Sequence, residues 1–498
     1  MKAPLTILAL TTCLAVTQTF AAPSAPEVKA TLTKATQYMR SIATEGGYLW
    51  RYSEDLKIRA GENNATDTQI WIQPPGTPAM GETFLKAYAA SGDAIHLEAA
   101  RDAAYALAQG QLESGGWDYL IDFAPAKGAL AYRRTDVGKL TAAQIAKRKN
   151  ISTYDDNNTQ DALRFLIQYV AVVKDSTNPK EKEIRTALAY GLKKMLEAQY
   201  PIGAWPQRYD GKPKSVTEYP IKKATIPMEY PRQHPKADYK GYYTLNDNAI
   251  ADCIDAMMTA HKQFGDARYL AAAKKAGDFL LLAQLPEPQP VWAQQYNQKM
   301  EPAWARAFEP PAATGGESSG AIRTLIDLYI ETGDAKYIEP IPRALAWYKR
   351  SEIAPGRWAR YYELTTNKPI YGDRDGKIYY RLQDISKERQ TGYGWESDFG
   401  MRKTFAAWEQ LQTDGREKLL AKKQPKPMSD KTRASTQAKL ASKVEKAIKE
   451  LDSQGRWMTE GKFVKEVKDL SFGRRIETRT FIEKMQALSE YLTAAEGK

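Results

Sequence analysis

The chain has 498 residues, a formal net charge of +12, three histidines and two cysteines. That length suits two or three ordinary domains or one large helical body, and the apolar content rules out global disorder. With so few histidines, and no Gly-x-Ser-x-Gly, His-Glu-x-x-His, P-loop or Gly-x-Gly-x-x-Gly pattern, chemistry is left to carboxylates, arginines or a metal.

Residues 1–22 read as a secretory signal: Lys2, the apolar run Leu5 to Val16, then Ala21-Ala22 ahead of Pro23. The run is too short for a convincing membrane span. A periplasmic or extracellular monomer is expected, with no membrane partner. Export argues against nucleic acid as the target of the positive charge and leaves an acidic polymer. Cys13 falls inside the signal, so Cys253 would remain without a disulfide partner.

Amphipathic stretches follow one another from Thr31 onward, with apolar spacings of three and four, as in Phe84, Leu85 and Tyr88. Three of them are separated by the same step, Gly92-Asp93, Gly265-Asp266 and Gly333-Asp334. Glycine suits a left-handed helix end and aspartate caps the helix that follows. A tryptophan comes 117−92 = 25, 292−265 = 27 and 358−333 = 25 positions after those glycines. Gly46-Gly47-Tyr48, Gly203-Ala204-Trp205 and Gly455-Arg456-Trp457 look like further closures.

Repeated helical hairpins that each bury one face against the next predict an all-α fold, an α/α toroid with irregular loops at one end. The expected organisation is a toroid over 23–412, a Lys/Pro-rich connector over 413–433, and a helical segment over 434–498 packed on the toroid. Tyr209 to Tyr243, rich in proline, lysine and tyrosine, reads as a long irregular excursion. The tryptophan loops become neighbours at one end of the ring, either as loop anchors or as faces on which sugars stack.

Two polar clusters stand directly before apolar helices: Ser152-Thr153-Tyr154-Asp155-Asp156-Asn157-Asn158 and Thr244-Leu245-Asn246-Asp247-Asn248. A cap needs one side-chain oxygen and these supply many more. Oxygen-rich clusters without histidine or cysteine are what a hard cation such as Ca²⁺ takes as ligands. The proline-flanked stretch Met300 to Pro311 carries Arg306 and Glu309. Arg306 either ties this loop down through Glu309 or faces an acidic sugar, with Arg374 and Arg389 as further donors to carboxylates.

The ordered set Thr153-Tyr154-Asp155-Asp156, Asn246-Asp247-Asn248, Trp292-Ala293-Gln294-Gln295-Tyr296, Arg306-Ala307-Phe308-Glu309 and Arg374 to Arg389 resembles the family-10 polysaccharide lyases, pectate lyases on an α/α barrel. The resemblance spans roughly 81–398. It implies Ca²⁺-dependent β-elimination of polygalacturonate, with Asp155, Asp156 and Asp247 serving the metal, Asp155 and Asp247 also the substrate, and Asp155 catalytic together with Arg306. Arg306 would be the base, and Arg374, Arg389, Trp292 and Tyr296 would bind substrate. A guanidinium is a poor base, so neighbouring positive charge and alkaline conditions are expected to favour its deprotonated fraction. Two competing readings are an inverting glycoside hydrolase using Asp247 and Glu309, and a non-catalytic binder of acidic glycans.

Overall fold

The glycine–aspartate steps build the hairpins as their sequence suggests. Gly92, Gly265 and Gly333 sit at φ 74°, 68° and 75°, each closing one helix through its backbone amide. Asp93, Asp266 and Asp334 then accept the amides of Ile95, Arg268 and Lys336 and start the next element.

The computed structural model describes residues 22–424, 426–461 and 473–497. The signal reading, apart from Ala22, and Cys13 lie outside these residues. The helices of ten residues or more are α1 (Ala25–Ile42), α2 (Thr77–Ser91), α3 (Ala94–Gly110), α4 (Asn158–Val172), α5 (Pro179–Ala198), α6 (Ala249–Phe264), α7 (Ala267–Ala283), α8 (Glu317–Thr332), α9 (Ile341–Arg350), α10 (Met401–Lys423), α11 (Asp430–Glu450) and α12 (Thr478–Glu496). None is long and apolar enough to cross a membrane. Cys253 is free and buried.

The helices form the two layers of an α/α toroid. The inner row runs α12, α2, α4, α6, α8, α10, and outer helices such as α1, α3, α5 and α7 pack behind it. Inner helices need apolar or small residues on most of their circumference. On α2, for example, Gly81 lies so close to Phe165 of α4 that a Cβ would fall 2.1 Å from the ring.

Behind the inner row the loop tryptophans are nails. Trp117, Trp205, Trp292, Trp358 and Trp457 are buried, and each indole N–H donates to a carbonyl near the end of the preceding helix, at Leu107, Met195, Leu280, Tyr348 and Ala447 respectively. Burial of one such ring contributes roughly 1.5–3 kcal/mol, and the paired N–H avoids the penalty of an orphan donor.

Two expectations change. The connector predicted over 413–433 is helical to Lys423, where α10 continues past a kink at Gly415 (φ 73°), and helical again from Asp430. Thr478–Glu496 is an inner helix of the ring and packs along α2, so the C-terminal segment completes the body instead of resting on it. The reason is hydrophobic. Phe481, Met485, Leu488 and Leu492 of α12 belong to the same continuous core as Phe84 of α2.

The same joining occurs in a five-stranded antiparallel sheet, ordered β4 (Met458–Gly461), β5 (Gly473–Glu477), β1 (Arg51–Ser53), β2 (Arg59–Ala60), β3 (Asn64–Ala65). Its register pairs Tyr52 with Ile476 and Ala60 with Asn64. The excursion over 209–243 is irregular, as expected, and is held by stacking of Tyr219 on Tyr200 at 4.3 Å.

Candidate active site

The two polar clusters take the same shape. In each, a two-residue strand (Ser152–Thr153, Tyr243–Thr244) leads into a turn whose last two residues are left-handed. Asp156 and Asn157 have φ 49° and 57°, and Asp247 and Asn248 have 47° and 60°. Such values are costly for most side chains and tolerated by aspartate and asparagine. Neither Asn157 nor Asn248 caps its helix through its side chain. The turns instead throw carboxylates outward, and because α4 and α6 are neighbours in the inner row, those carboxylates meet.

Asp155, Asp156 and Asp247 each bring an oxygen within 4.8 Å of the others. Tyr119 donates its hydroxyl toward Asp155 (3.1 Å) and Asp156 (2.9 Å), and Gln207 donates to Asp155 Oδ2 at 2.9 Å. That leaves Asp155 Oδ1 and the neighbouring Asn246 Oδ1 buried without a protein partner. Burial, then the charge of Asp156, raises the pKa of Asp155; burial, then Asp247, raises that of Asp156. Asp247 is open to the cleft but crowded on its other sides, and this desolvation together with Asp155 pushes it up to about 6.

The trio lies in a cleft of about 810 Å³ that also takes in Arg306 and Glu309. The positive charge of Arg306 is felt at both Asp156 and Asp247. Arg306, Arg374 and Arg389 gather round one ring, their guanidinium carbons 4.8, 5.9 and 4.6 Å from the centre of Phe308. Arg389 is buried while Arg374 is exposed, and Glu388 bonds to both.

Against this geometry stand the comparisons. The family model described as pectic acid lyase matches residues 129–357 and 352–403, more than half of the chain. The chain belongs to the pectic acid lyase family. It is a polysaccharide lyase. No curated protein matches. Among solved structures, a family 10 polysaccharide lyase from Cellvibrio cellulosa, a mutant in complex with trigalacturonic acid, is 21% identical, covering 61% of this chain and 91% of its own, with TM-score 0.44. A cellobiose 2-epimerase from Bacillus thermoamylovorans is 12% identical, covering 95% and 100%, also at TM-score 0.44. The family assignment stands on the sequence match.

Two substrate-binding assignments for the lyase are corrected. Trp292 and Tyr296 are both fully buried. The Trp292 indole is spent on Leu280, and the Tyr296 hydroxyl donates to Ala283 O while accepting from the Ala293 amide. Neither can touch a sugar. The electrostatic expectation for Arg306 is also corrected: its immediate neighbour is Glu309, and that carboxylate holds the guanidinium pKa well above its usual value. Glu309 is itself depressed, by the Arg306 bond first among its partners, and it accepts a third bond from Tyr393, so it is poorly placed to act as a hydrolase base.

Several residues around the lyase site have no role assigned to them from the sequence. They share a position, the second after a loop tryptophan: Tyr119 after Trp117, Gln207 after Trp205, Gln294 after Trp292 and Arg360 after Trp358. Tyr119 and Gln207 hold Asp155, and Gln294 accepts from Tyr361, which bonds Tyr393. Arg360 stacks 4.6 Å from Tyr393, and its charge tempers Asp247. Aligning the tryptophan loops by phase, instead of reading the tryptophans themselves, points to this set.

Hard oxygen donors, two orphan oxygens and mutual repulsion fit a divalent cation. Asp155, Asp156 and Asp247 are the residues that would hold it, with Asn246 beside them.

Proposed function

We propose that this lyase cleaves polygalacturonate by Ca²⁺-assisted β-elimination, exported through the signal over 1–22 and acting as a monomer in the periplasm or outside the cell. The observation that carries this is the pairing, within one cleft, of three mutually repelling carboxylates with Arg306, whose guanidinium shares the Phe308 ring with Arg374 and Arg389. Neither half has a use for a neutral sugar. A uronate needs both.

Bound at the trio, Ca²⁺ would withdraw charge from a uronate carboxylate and so acidify the neighbouring C5 proton. Arg389 and Arg374 both give their planar forks to Glu388 in the free protein, and would exchange that carboxylate for those of adjoining sugar residues. Arg306 is the candidate base: the C5 proton passes to it, the C5–H electrons become the C4–C5 double bond, and O4 departs with the leaving chain, carrying the C4–O4 electron pair and taking a proton from solvent. Glu309 keeps Arg306 protonated, so the step first requires loss of a guanidinium proton to alkaline solvent, and the rate rises with pH. Asp155, held by Tyr119 and Gln207, positions the reacting sugar.

The test is direct. Polygalacturonate incubated with the protein and Ca²⁺ should yield an unsaturated product absorbing at about 235 nm, the signature of a conjugated enol ether formed by proton abstraction, and chelator should abolish it. New reducing ends without that absorbance would show hydrolysis and reject the proposal.

A further inference from the structure

The cleft is electrically lopsided. One end holds Arg306, whose guanidinium shares the Phe308 ring with Arg389 behind it. The other, past Tyr119, is walled by Trp71, Asn63 and Glu62. Asp118 also lies at that end, but Lys149 and Arg208 neutralise it. Glu62 is exposed and has no ion-pair partner within 4.0 Å among the described residues.

Glu62 is fixed in place by the turn between β2 and β3. Gly61 lies on the Trp71 ring so closely that a Cβ there would fall 2.0 Å from it, and the Gly61 amide bonds Asn63 O at 2.9 Å. Trp71 is itself clamped, its amide bonded to Tyr48 O. The turn, which belongs to the five-stranded sheet, therefore lines the same cleft as Tyr119 and Asp156. Gly61, Glu62, Asn63 and Trp71 lie outside the stretch that matches the family model, so this wall is a feature of the chain beyond the matched region.

We propose that Glu62 is a specificity-determining residue, disfavouring a free uronate carboxylate at the end of the cleft next to Asp156 so that the lyase acts best where this position carries a methyl-esterified galacturonate. An ester there removes the repulsion and leaves the ring otherwise unchanged. Carboxylates at the arginine end remain attracted. The substrate class is thus a partly esterified polygalacturonate, charged at one end of the bound segment and neutral at the other.

This inference rests on the lyase reading above, and the experiment separates the two. kcat/KM is measured on fully de-esterified polygalacturonate and on a randomly part-esterified one, for the parent protein, Glu62→Gln and Glu62→Lys, with melting temperatures as a check on folding. The parent should favour the esterified polymer. Glu62→Gln should cut that preference about three- to tenfold, mainly by gaining on the de-esterified polymer, and Glu62→Lys should cut it further. The shift should shrink at about 0.5 M NaCl, because the effect is screened. An unchanged ratio in both variants overturns the proposal. So does a Glu62→Gln variant that needs more Ca²⁺ for half-maximal rate at an unchanged ratio, which would make Glu62 a cation ligand. If the parent forms no unsaturated product from either polymer, the lyase reading itself falls.

Discussion

Glu309 grips Arg306 at two points, accepting the backbone amide at one carboxylate oxygen (3.0 Å) and the guanidinium at the other (2.5 Å). The first bond shapes the loop and the second sets the charge. Glu309→Gln keeps the shape and removes the charge, so the Arg306 pKa should fall. If Arg306 takes the C5 proton, the alkaline rise of kcat/KM should move down by about one pH unit or more, while Arg306→Lys should lose about 10²-fold or more in kcat. A pH profile unmoved by Glu309→Gln would remove Arg306 as the base.

Asp247, desolvated and crowded by Asp155, carries an unfavourable charge in the free protein, and in the proposed function it is a cation ligand. Asp247→Asn should raise the melting temperature without Ca²⁺, because a repelling charge is gone, and should abolish the rise in melting temperature that Ca²⁺ gives. Activity should drop by roughly 10²-fold or more. Thermal melts with and without Ca²⁺ check both.

The pH dependence follows with a definite sign. Asp247 titrates near 6 in the folded chain, and Asp155 and Asp156 are raised as well, whereas unfolded aspartates titrate near 3.8. Their folded forms hold protons more tightly, so their contribution is intact below about pH 4 and is lost as pH rises through about 6. Without Ca²⁺ the protein should therefore lose stability across that window. With Ca²⁺ the loss should be offset, because the cation binds the ionised form, and titration calorimetry should show affinity rising steeply over the same range.

Trp292→Phe tests the loop anchor. The indole loses its bond to Leu280 and part of its buried volume, which should cost about 1–3 kcal/mol in denaturant unfolding. KM for polygalacturonate should stay within about twofold, where a stacking role would raise it by about tenfold.

Arg389 and Arg374 should separate. Arg389, buried against Phe308, is pre-positioned, whereas Arg374 is exposed and held only by a solvent-facing pair with Glu388. Arg389→Ala should raise KM for polygalacturonate about tenfold or more, and Arg374→Ala about twofold to fivefold, with the Arg374 effect the more sensitive to salt.

The helical hairpins were legible because their signals are local: Gly92-Asp93 and its two counterparts carry both a helix end and the next cap. The oxygen-rich turns were visible too, as was the arginine set. What could not be seen was direction. A tryptophan that stacks on sugar and one that nails a loop look alike until the carbonyl ten to twelve residues back, at Leu107 or Leu280, is known to lie beside it. Nor does the chain announce that Ser152-Thr153 and Tyr243-Thr244 lead into left-handed turns, since the aspartates there also suit ordinary caps. The pairing of Tyr52 with Ile476 joins residues 476−52 = 424 positions apart, beyond the reach of any periodicity.

That distant pairing bears on how the molecule can be cut. The stretch recognisable by kinship stops well short of α12, yet α12 shares a core with α2, and its adjoining strand clasps β1. A fragment trimmed to the recognisable stretch would open the ring at its clasp and bare the flank of α4 that α2 covers. Ancestry and foldability have different borders in this protein.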